Sequence, residues 1–229
     1  MTPKPVVLIT GAQGRIGSAI TKALEDTYTV VGFEKNCQGE HCISVDLTSD
    51  EALAKGCEEF RARYGNKIAS VIHLAAFYDF SGEPHPMYEA VNVKGTHRLL
   101  HALQVFEVGQ FIYASTMLVH AATAPGQPIN EDAALEPAWP YPQSKLDAEQ
   151  VIKKERGHIP ALILRLAGVY TDLCDVPSLA NQCQRIYERQ MLSKVFPGDP
   201  SHGQAFIHLE DVARAFRSAV DKRAYFYGT

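Results

Sequence analysis

No apolar run in this chain of 229 residues approaches the ~18–20 residues that a bilayer span requires, and no charged-then-apolar leader opens it. The expectation is a cytoplasmic protein with no membrane partner. An excess of basic charge is lacking too: 22 Lys and Arg stand against 26 Asp and Glu, a net charge of -4. That balance argues against nucleic acid or an anionic lipid surface as the main partner. Cysteine is scarce. Its five residues show no paired spacing and fit a reducing compartment better than a disulfide framework. Cys37, His41 and Cys42 cluster without the second half of a zinc site. His97 and His101 share a helical face but lack the Glu of a helical metal motif. No metal is expected. Internal repeats and low-complexity tracts are absent.

What is present is 46% hydrophobic residues, enough for one sizeable core. Apolar runs suited to buried parallel strands recur at Val6–Thr10, Thr29–Phe33, Cys42–Val45, Ser70–Leu74, Gln110–Ala114 and Ala161–Arg165. Between the first two, Ile16, Ile20, Ala23 and Leu24 fall at helical spacing. Glu51–Tyr64, Met87–Phe106 and Tyr141–Arg156 are long enough for crossover helices. This alternation predicts an α/β fold with a doubly wound, Rossmann-like parallel sheet. Ala121–Pro140, rich in Ala and Pro, reads as a long loop over the site. Near the end, Phe206–Phe216 reads as a short strand entering a helix, and Ala224–Thr229 as a strand beginning. The expected organisation is one dinucleotide-binding domain over 1–229, with 171–205 and 222–229 contributing to a small, incomplete C-terminal substrate lobe.

Two stretches carry chemistry. Gly11-Ala-Gln13-Gly14-Arg15-Ile16-Gly17 follows the first strand and opens the first helix. Glycines there let the backbone approach a pyrophosphate closely, and helix N-terminal amides meet its negative charge. Glu34 ends the second strand, where a carboxylate accepts from both ribose hydroxyls and repels a 2′-phosphate. NAD is therefore favoured over NADP, although Arg15 and Lys35 are cations that could hold a phosphate. The bland reading of Glu34 is an exposed turn carboxylate.

Far along the chain, Tyr141 and Lys145 stand four residues apart, on one face of a helix. A nearby ammonium favours the phenolate of a tyrosine otherwise titrating near 10, so Tyr141 is expected to exchange a proton with a substrate hydroxyl. Ser115 and Thr116, after the strand ending at Ala114, are hydroxyl donors at the carboxyl end of the sheet.

Taken together, Gly11–Gly17, Val45-Asp46-Leu47, His73-Leu-Ala-Ala76, Asn92–Thr96, Tyr113–Thr116, Tyr141–Lys145, Leu164–Tyr170 and Phe206–Ala213 resemble an extended short-chain dehydrogenase/reductase of the NAD-dependent epimerase/dehydratase family. The resemblance implies that Asp46 and Leu47 hold adenine and that Leu74, Ala75 and Ala76 line the middle of the cofactor. It further implies that Asn92 supports the lysine, that Lys145 also bonds the nicotinamide ribose, and that Thr116 is the catalytic hydroxyl with Ser115 beside it. His73 is expected to be structural. Departures lie on the substrate side: Val119-His120-Ala121 stands for Val-Tyr-Gly, Arg165-Leu166 for Arg-Pro, and Gly168 for a substrate-gripping asparagine. These weaken a nucleotide-sugar reading. Phe77-Tyr78-Asp79-Phe80 forms either an aromatic wall for substrate or ordinary core.

The resemblance implies chemistry at a hydroxyl or keto carbon of a sugar or similar small molecule, by an epimerase, a dehydratase or a dehydrogenase with exchangeable NAD. A hydroxysteroid-type alcohol dehydrogenase is the alternative. A dinucleotide-binding protein without chemistry is the reading of another class, and having both Tyr141 and Lys145 counts against it. A homodimer through the helices after Asn92 and including Tyr141 is the family's usual assembly.

Overall fold

Apolar residues on both faces of every central strand require helices on both faces of the sheet, and that is what the computed structural model contains. It describes residues 3–79, 81–124, 126–174, 176–195, 203 and 205–226. Along the chain run β1 (Val6–Thr10), α1 (Arg15–Leu24), β2 (Thr29–Glu34), β3 (Cys42–Ser44), α2 (Asp50–Tyr64), β4 (Lys67–Ile68) and β5 (Ser70–His73). A π-helical segment, Tyr88–Val93, leads directly into α3 (Lys94–Leu103), β6 (Glu107–Val108), β7 (Phe111–Thr116), α4 (Pro140–Glu155) and β8 (Ala161–Leu166). The last elements are β9 (Gly168–Tyr170), α5 (Pro177–Tyr187), β10 (Phe206–His208), α6 (Leu209–Asp221) and α7 (Arg223–Phe226).

The main sheet is parallel, in the order β3-β2-β1-β5-β7-β8. Chain direction across it reverses between β1 and β5, which opens a crevice at the carboxyl ends of those strands. Leu8, Phe33, Val71, Phe111 and Tyr113 point to one face, where they pack with Phe60, Leu99, Leu100 and Ile152 of α2, α3 and α4. Val7, Ile9, Ile72 and Ile112 point to the other, against Ile20 and Leu24 of α1 and Val212 and Phe216 of α6. Each strand is therefore apolar at successive positions, because both of its faces are covered. Truncating Phe60 or Phe216, both fully buried, costs about 3–5 kcal/mol.

Local signals set the helix ends. Ser49 caps α2 by accepting from the Ala52 amide at 3.1 Å, with Asp50 and Glu51 in the first turn and Arg61 and Arg63 in the last. Pro140 sits at the start of α4, where its missing amide costs nothing.

Three expectations differ from the structure. Met87–Phe106 is not one α-helix: its first part, Tyr88–Val93, is π-helical. The segment after α6 is helical at Arg223–Phe226 rather than a strand; 227–229 lie outside the described residues. Cys37 and Cys42 are joined by a disulfide, because the turn between β2 and β3 brings their Cα atoms to 5.7 Å, within bridging range. Among the described residues no helix is long and apolar enough to cross a membrane, and no group of three metal-ligating side chains occurs.

Candidate active site

The turn after β1 is built by absent side chains. Gly11 has φ of +75°, and a Cβ there would lie 2.9 Å from the Ala75 amide nitrogen. A Cβ on Gly17 would lie 2.0 Å from the Gly11 carbonyl oxygen. Only glycine lets the turn close and α1 approach it. Gly14 takes the N-cap of α1 without any side-chain cap, and the first turn has no acid. Its amides are thus left for an anion of the cofactor. An open cradle of this shape, at the reversal of the sheet, fits a dinucleotide pyrophosphate.

Glu34 closes the next position outward. Its carboxylate accepts from the Gln13 amide at 2.6 Å, which holds the end of β2 against the glycine turn. Gln13 itself donates to the Gln38 carbonyl at 2.5 Å. Lys35 pairs with Asp46 at 2.8 Å, and the other Asp46 oxygen accepts from the Thr48 amide and hydroxyl. Lys35 and Thr48 together hold the Asp46 carboxyl at about 2. Arg15 reaches the Val169 carbonyl at 3.4 Å.

A cleft of about 430 Å³ joins this cradle to the distant part of the chain. Lining it are Gly11, Gly14, Arg15, Ile16, Gly17, Leu74, Ala76, Tyr78, Ser115, Thr116, Tyr141 and Lys145, with Ala114, Leu166, Ala167 and Val169. Residues more than a hundred positions apart in sequence meet there because β1, β5, β7 and β8 all end on the same side. Gln13, Glu34, Asp46, Leu47, Ala75 and Asn92 do not line it. A larger cavity, about 740 Å³, opens beside α1 and takes Gln13, but holds none of the tyrosine–lysine pair.

Tyr141 and Lys145 occupy one face of α4, with Lys145 buried and Tyr141 partly buried. The Lys145 ammonium stands 4.2 Å over the ring of Tyr113, a cation–π seat in a site with little water. Burial pushes Lys145 down to about 7, against an opposing pull from Glu149 one turn on. Burial pushes the Tyr141 phenol up, aided by Tyr78 and Tyr88. Burial dominates the shift of this phenol, and the Lys145 ammonium lies over the Tyr113 face. In this state Tyr141 is a proton donor.

The aromatic wall is partly real. Tyr78 packs edge-on to Tyr141 with ring centres 4.5 Å apart, while Phe77 turns to His85 and Tyr88. Phe80 lies outside the described residues. Asn92, on the π-helical segment, accepts from the Phe77 amide at 2.7 Å and donates to the Phe77 carbonyl and the Ser144 hydroxyl. Its bonds hold the wall and Ser144, one residue before Lys145. The wide π turn is a local irregularity of the kind that gathers at functional sites. His73 is structural, as expected. Its ring nitrogens meet the hydroxyls of Thr10 at 2.6 Å and Thr96 at 2.9 Å, and burial holds it neutral, at about 3.

The two hydroxyls after Ala114 part company, since successive strand residues face opposite ways. Thr116 accepts from the Leu118 amide at 3.3 Å, which leaves its own proton to give. Ser115 donates to Glu149 at 2.5 Å, so its proton is engaged there while it still lines the cleft beside Thr116. Glu149 is fully buried and bound by Arg165 through two bonds, at 3.0 and 2.7 Å. Burial raises the Glu149 carboxyl, but hydrogen bonds from Arg165 and Ser115 outweigh that and leave it lowered. Sequence reasoning passed over Glu149. Its spacing from Tyr141 and Lys145, two turns and one, was the available signal.

Gly168 has its own reason. A Cβ there would lie 2.8 Å from the Phe206 ring, so no larger residue fits between β9 and β10 as they stand.

Against known proteins, the profile of the NAD dependent epimerase/dehydratase family matches residues 7–225. The UDP-glucose 4-epimerase of Mycolicibacterium smegmatis is 26% identical over 226 residues, covering 91% of this chain and 71% of that one. The dTDP-D-glucose 4,6-dehydratase of Mus musculus is 31% identical over 182 residues, covering 72% of this chain and 50% of that one. Among solved structures, the Thermus thermophilus UDP-glucose 4-epimerase in complex with NAD is similar with a TM-score of 0.73 and 26% identity, over 94% of this chain and 74% of that one.

Proposed function

The chain belongs to the NAD-dependent epimerase/dehydratase family, and from that premise we propose that it acts on a hydroxyl or keto carbon of a sugar carried on a nucleotide, or of a similar small molecule. The single observation that carries this reading is the cleft that puts the glycine cradle, Thr116, Tyr141 and Lys145 around one space.

Gly11, Gly14 and Gly17 would hold the pyrophosphate of NAD, with Glu34 on the adenosine ribose, Asp46 and Leu47 toward adenine, and Leu74, Ala75 and Ala76 along its middle. When bound, NAD supplies the hydride acceptor or donor, and in oxidised form a positive charge beside the pair. Thr116, whose hydroxyl accepts from the Leu118 amide, donates a hydrogen bond to the substrate oxygen. Tyr141, kept protonated by burial, donates to a substrate carbonyl oxygen. For the opposite direction it must first lose that proton, and the Lys145 ammonium is the group of this chain placed to stabilise the phenolate. Tyr78, set on the Tyr141 ring, orients the phenol and offers an aromatic face to the substrate.

Mass identification of any dinucleotide released on denaturing the purified protein tests the reading. Stoichiometric NAD is the expected result and marks an enzyme that returns its hydride within one turnover. NADP in its place overturns the role given to Glu34, and failure to bind either dinucleotide overturns the whole reading.

A second reading rests on a separate observation. The cleft is lined by apolar Leu166, Ala167 and Val169, and Gly168 is closed off by Phe206. That lining suits an alcohol dehydrogenase with exchangeable NAD, and an empty protein that binds added NAD favours it.

A further inference from the structure

One residue that the reaction does not use joins the loop before the catalytic helix to the buried ion pair beneath it. His120 follows the short turn Met117–Val119 after β7. Its Nδ1 lies 3.2 Å from the Ala133 carbonyl oxygen, and its Nε2 lies 3.0 Å from Nη1 of Arg165. A carbonyl only accepts and a guanidinium only donates. Both contacts are therefore hydrogen bonds in a single state of the ring: neutral, with the proton on Nδ1 and a lone pair on Nε2.

The loop is fastened around this point. His120 bridges Leu135, the Ala121 amide donates to the Ala134 carbonyl at 2.9 Å, and the Glu136 amide donates to Val119 at 3.0 Å. Three residues on from Glu136 stands Trp139, the N-cap of α4, and two beyond that Tyr141. On the other side, Arg165 cannot swing away, because Glu149 holds its Nε and Nη2.

We propose that His120 is a positioning residue operated by a proton: neutral, it ties Ala133, at the end of the loop that leads into α4, to Arg165; protonated, it gives up that tie. Protonation replaces the Nε2 lone pair with a second donor and sets two cations face to face. Arg165 on β8 faces the ring, with Glu149 and Lys153 of α4 acting through it, and Glu131 belongs to the same loop. Acid therefore weakens this contact, in which the glycine cradle takes no part. The consequence for turnover rests on the role given to Tyr141 above; the latch does not.

Trp139 is the one tryptophan of the chain and is 42% exposed, so its emission reports the loop without any cofactor or substrate. Emission of the wild-type protein followed between about pH 8 and 5, with far-ultraviolet dichroism alongside, should show a one-proton transition at constant secondary structure. His120→Gln, whose amide keeps an acceptor for Arg165 and a donor for Ala133, should flatten it, as should His120→Asn. His85→Gln should leave it intact. A flat wild-type signal overturns the proposal, and so does a transition that survives both His120 variants or disappears with His85→Gln. None of these readouts depends on bound dinucleotide, so the latch and the proposed reaction can fail separately.

Discussion

The cradle after β1 and the corner around Tyr141 are two halves of one cleft built on opposite terms. The cradle is backbone: three glycines, helix amides without a capping side chain, and one carboxylate holding the turn. Apart from Glu34, its working parts lie within seven consecutive residues. The corner is made of buried side chains from β7, α4, β8 and the loop between them, with a charge balanced at almost every step. A backbone site tolerates changes around it but not within it. A side-chain site can be taken apart one function at a time, and that difference can be measured.

The largest effect belongs to the phenol. Tyr141→Phe keeps the ring on Tyr78 and removes the proton, so turnover should fall by about 10²–10⁴-fold with dinucleotide content and melting temperature unchanged. Steady-state rates on the substrate that the wild type uses, beside a thermal melt, check this; near-normal turnover would remove Tyr141 from the chemistry. Next is the ion pair beneath it. Arg165→Met leaves Glu149 buried and unpaired, and should destabilise the fold by about 3–5 kcal/mol in a urea titration. The double variant Glu149→Met/Arg165→Met should lose much less, since no charge is then stranded. Equal losses in the two would mean that the pair acts only by its shape.

Within the cradle the prediction is different in kind. Gly17→Ala drives a methyl group into the Gly11 carbonyl and should cost about 1–3 kcal/mol, and dinucleotide binding should be lost in equilibrium dialysis even where the protein still folds. Retained binding would break the contrast between the two halves. The smallest effect is on the shared wall between them, at His73. Its folded-state pKa is lowered from 6.5 to about 3, so the unfolded chain binds the extra proton first. Stability is intact above about pH 6.5 and is lost as pH falls toward 3, by about 1 kcal/mol at pH 5.5. His73→Gln, less stable throughout, should show a flatter acid slope in denaturant titrations over that range.

Much of the cradle was legible because its parts are adjacent in sequence. Gly11–Gly17 follows an apolar run and precedes a helical pattern, and Glu34 stands at the next strand end. In the corner only the Tyr141–Lys145 pair was legible, since four residues on a helix fix a shared face. That Ser115, and not Thr116, donates to Glu149 depends on which side of β7 each occupies. That Asn92 serves Phe77 and Ser144 depends on the π turn. The Cys37–Cys42 bridge depends on how tightly β2 turns into β3.

The fold and the position of its crevice followed from the sequence alone, because apolar periodicity and glycine sterics act over a few residues and need no distant partner. The protonation of the site was decided by the tertiary structure. Lys145 near 7, Tyr141 held neutral and His120 limited to one tautomer all arise from burial and from partners up to 63 positions away. Desolvation and hydrogen-bond partnership come into being only when the chain has folded, and they set the charge of each group against its intrinsic value.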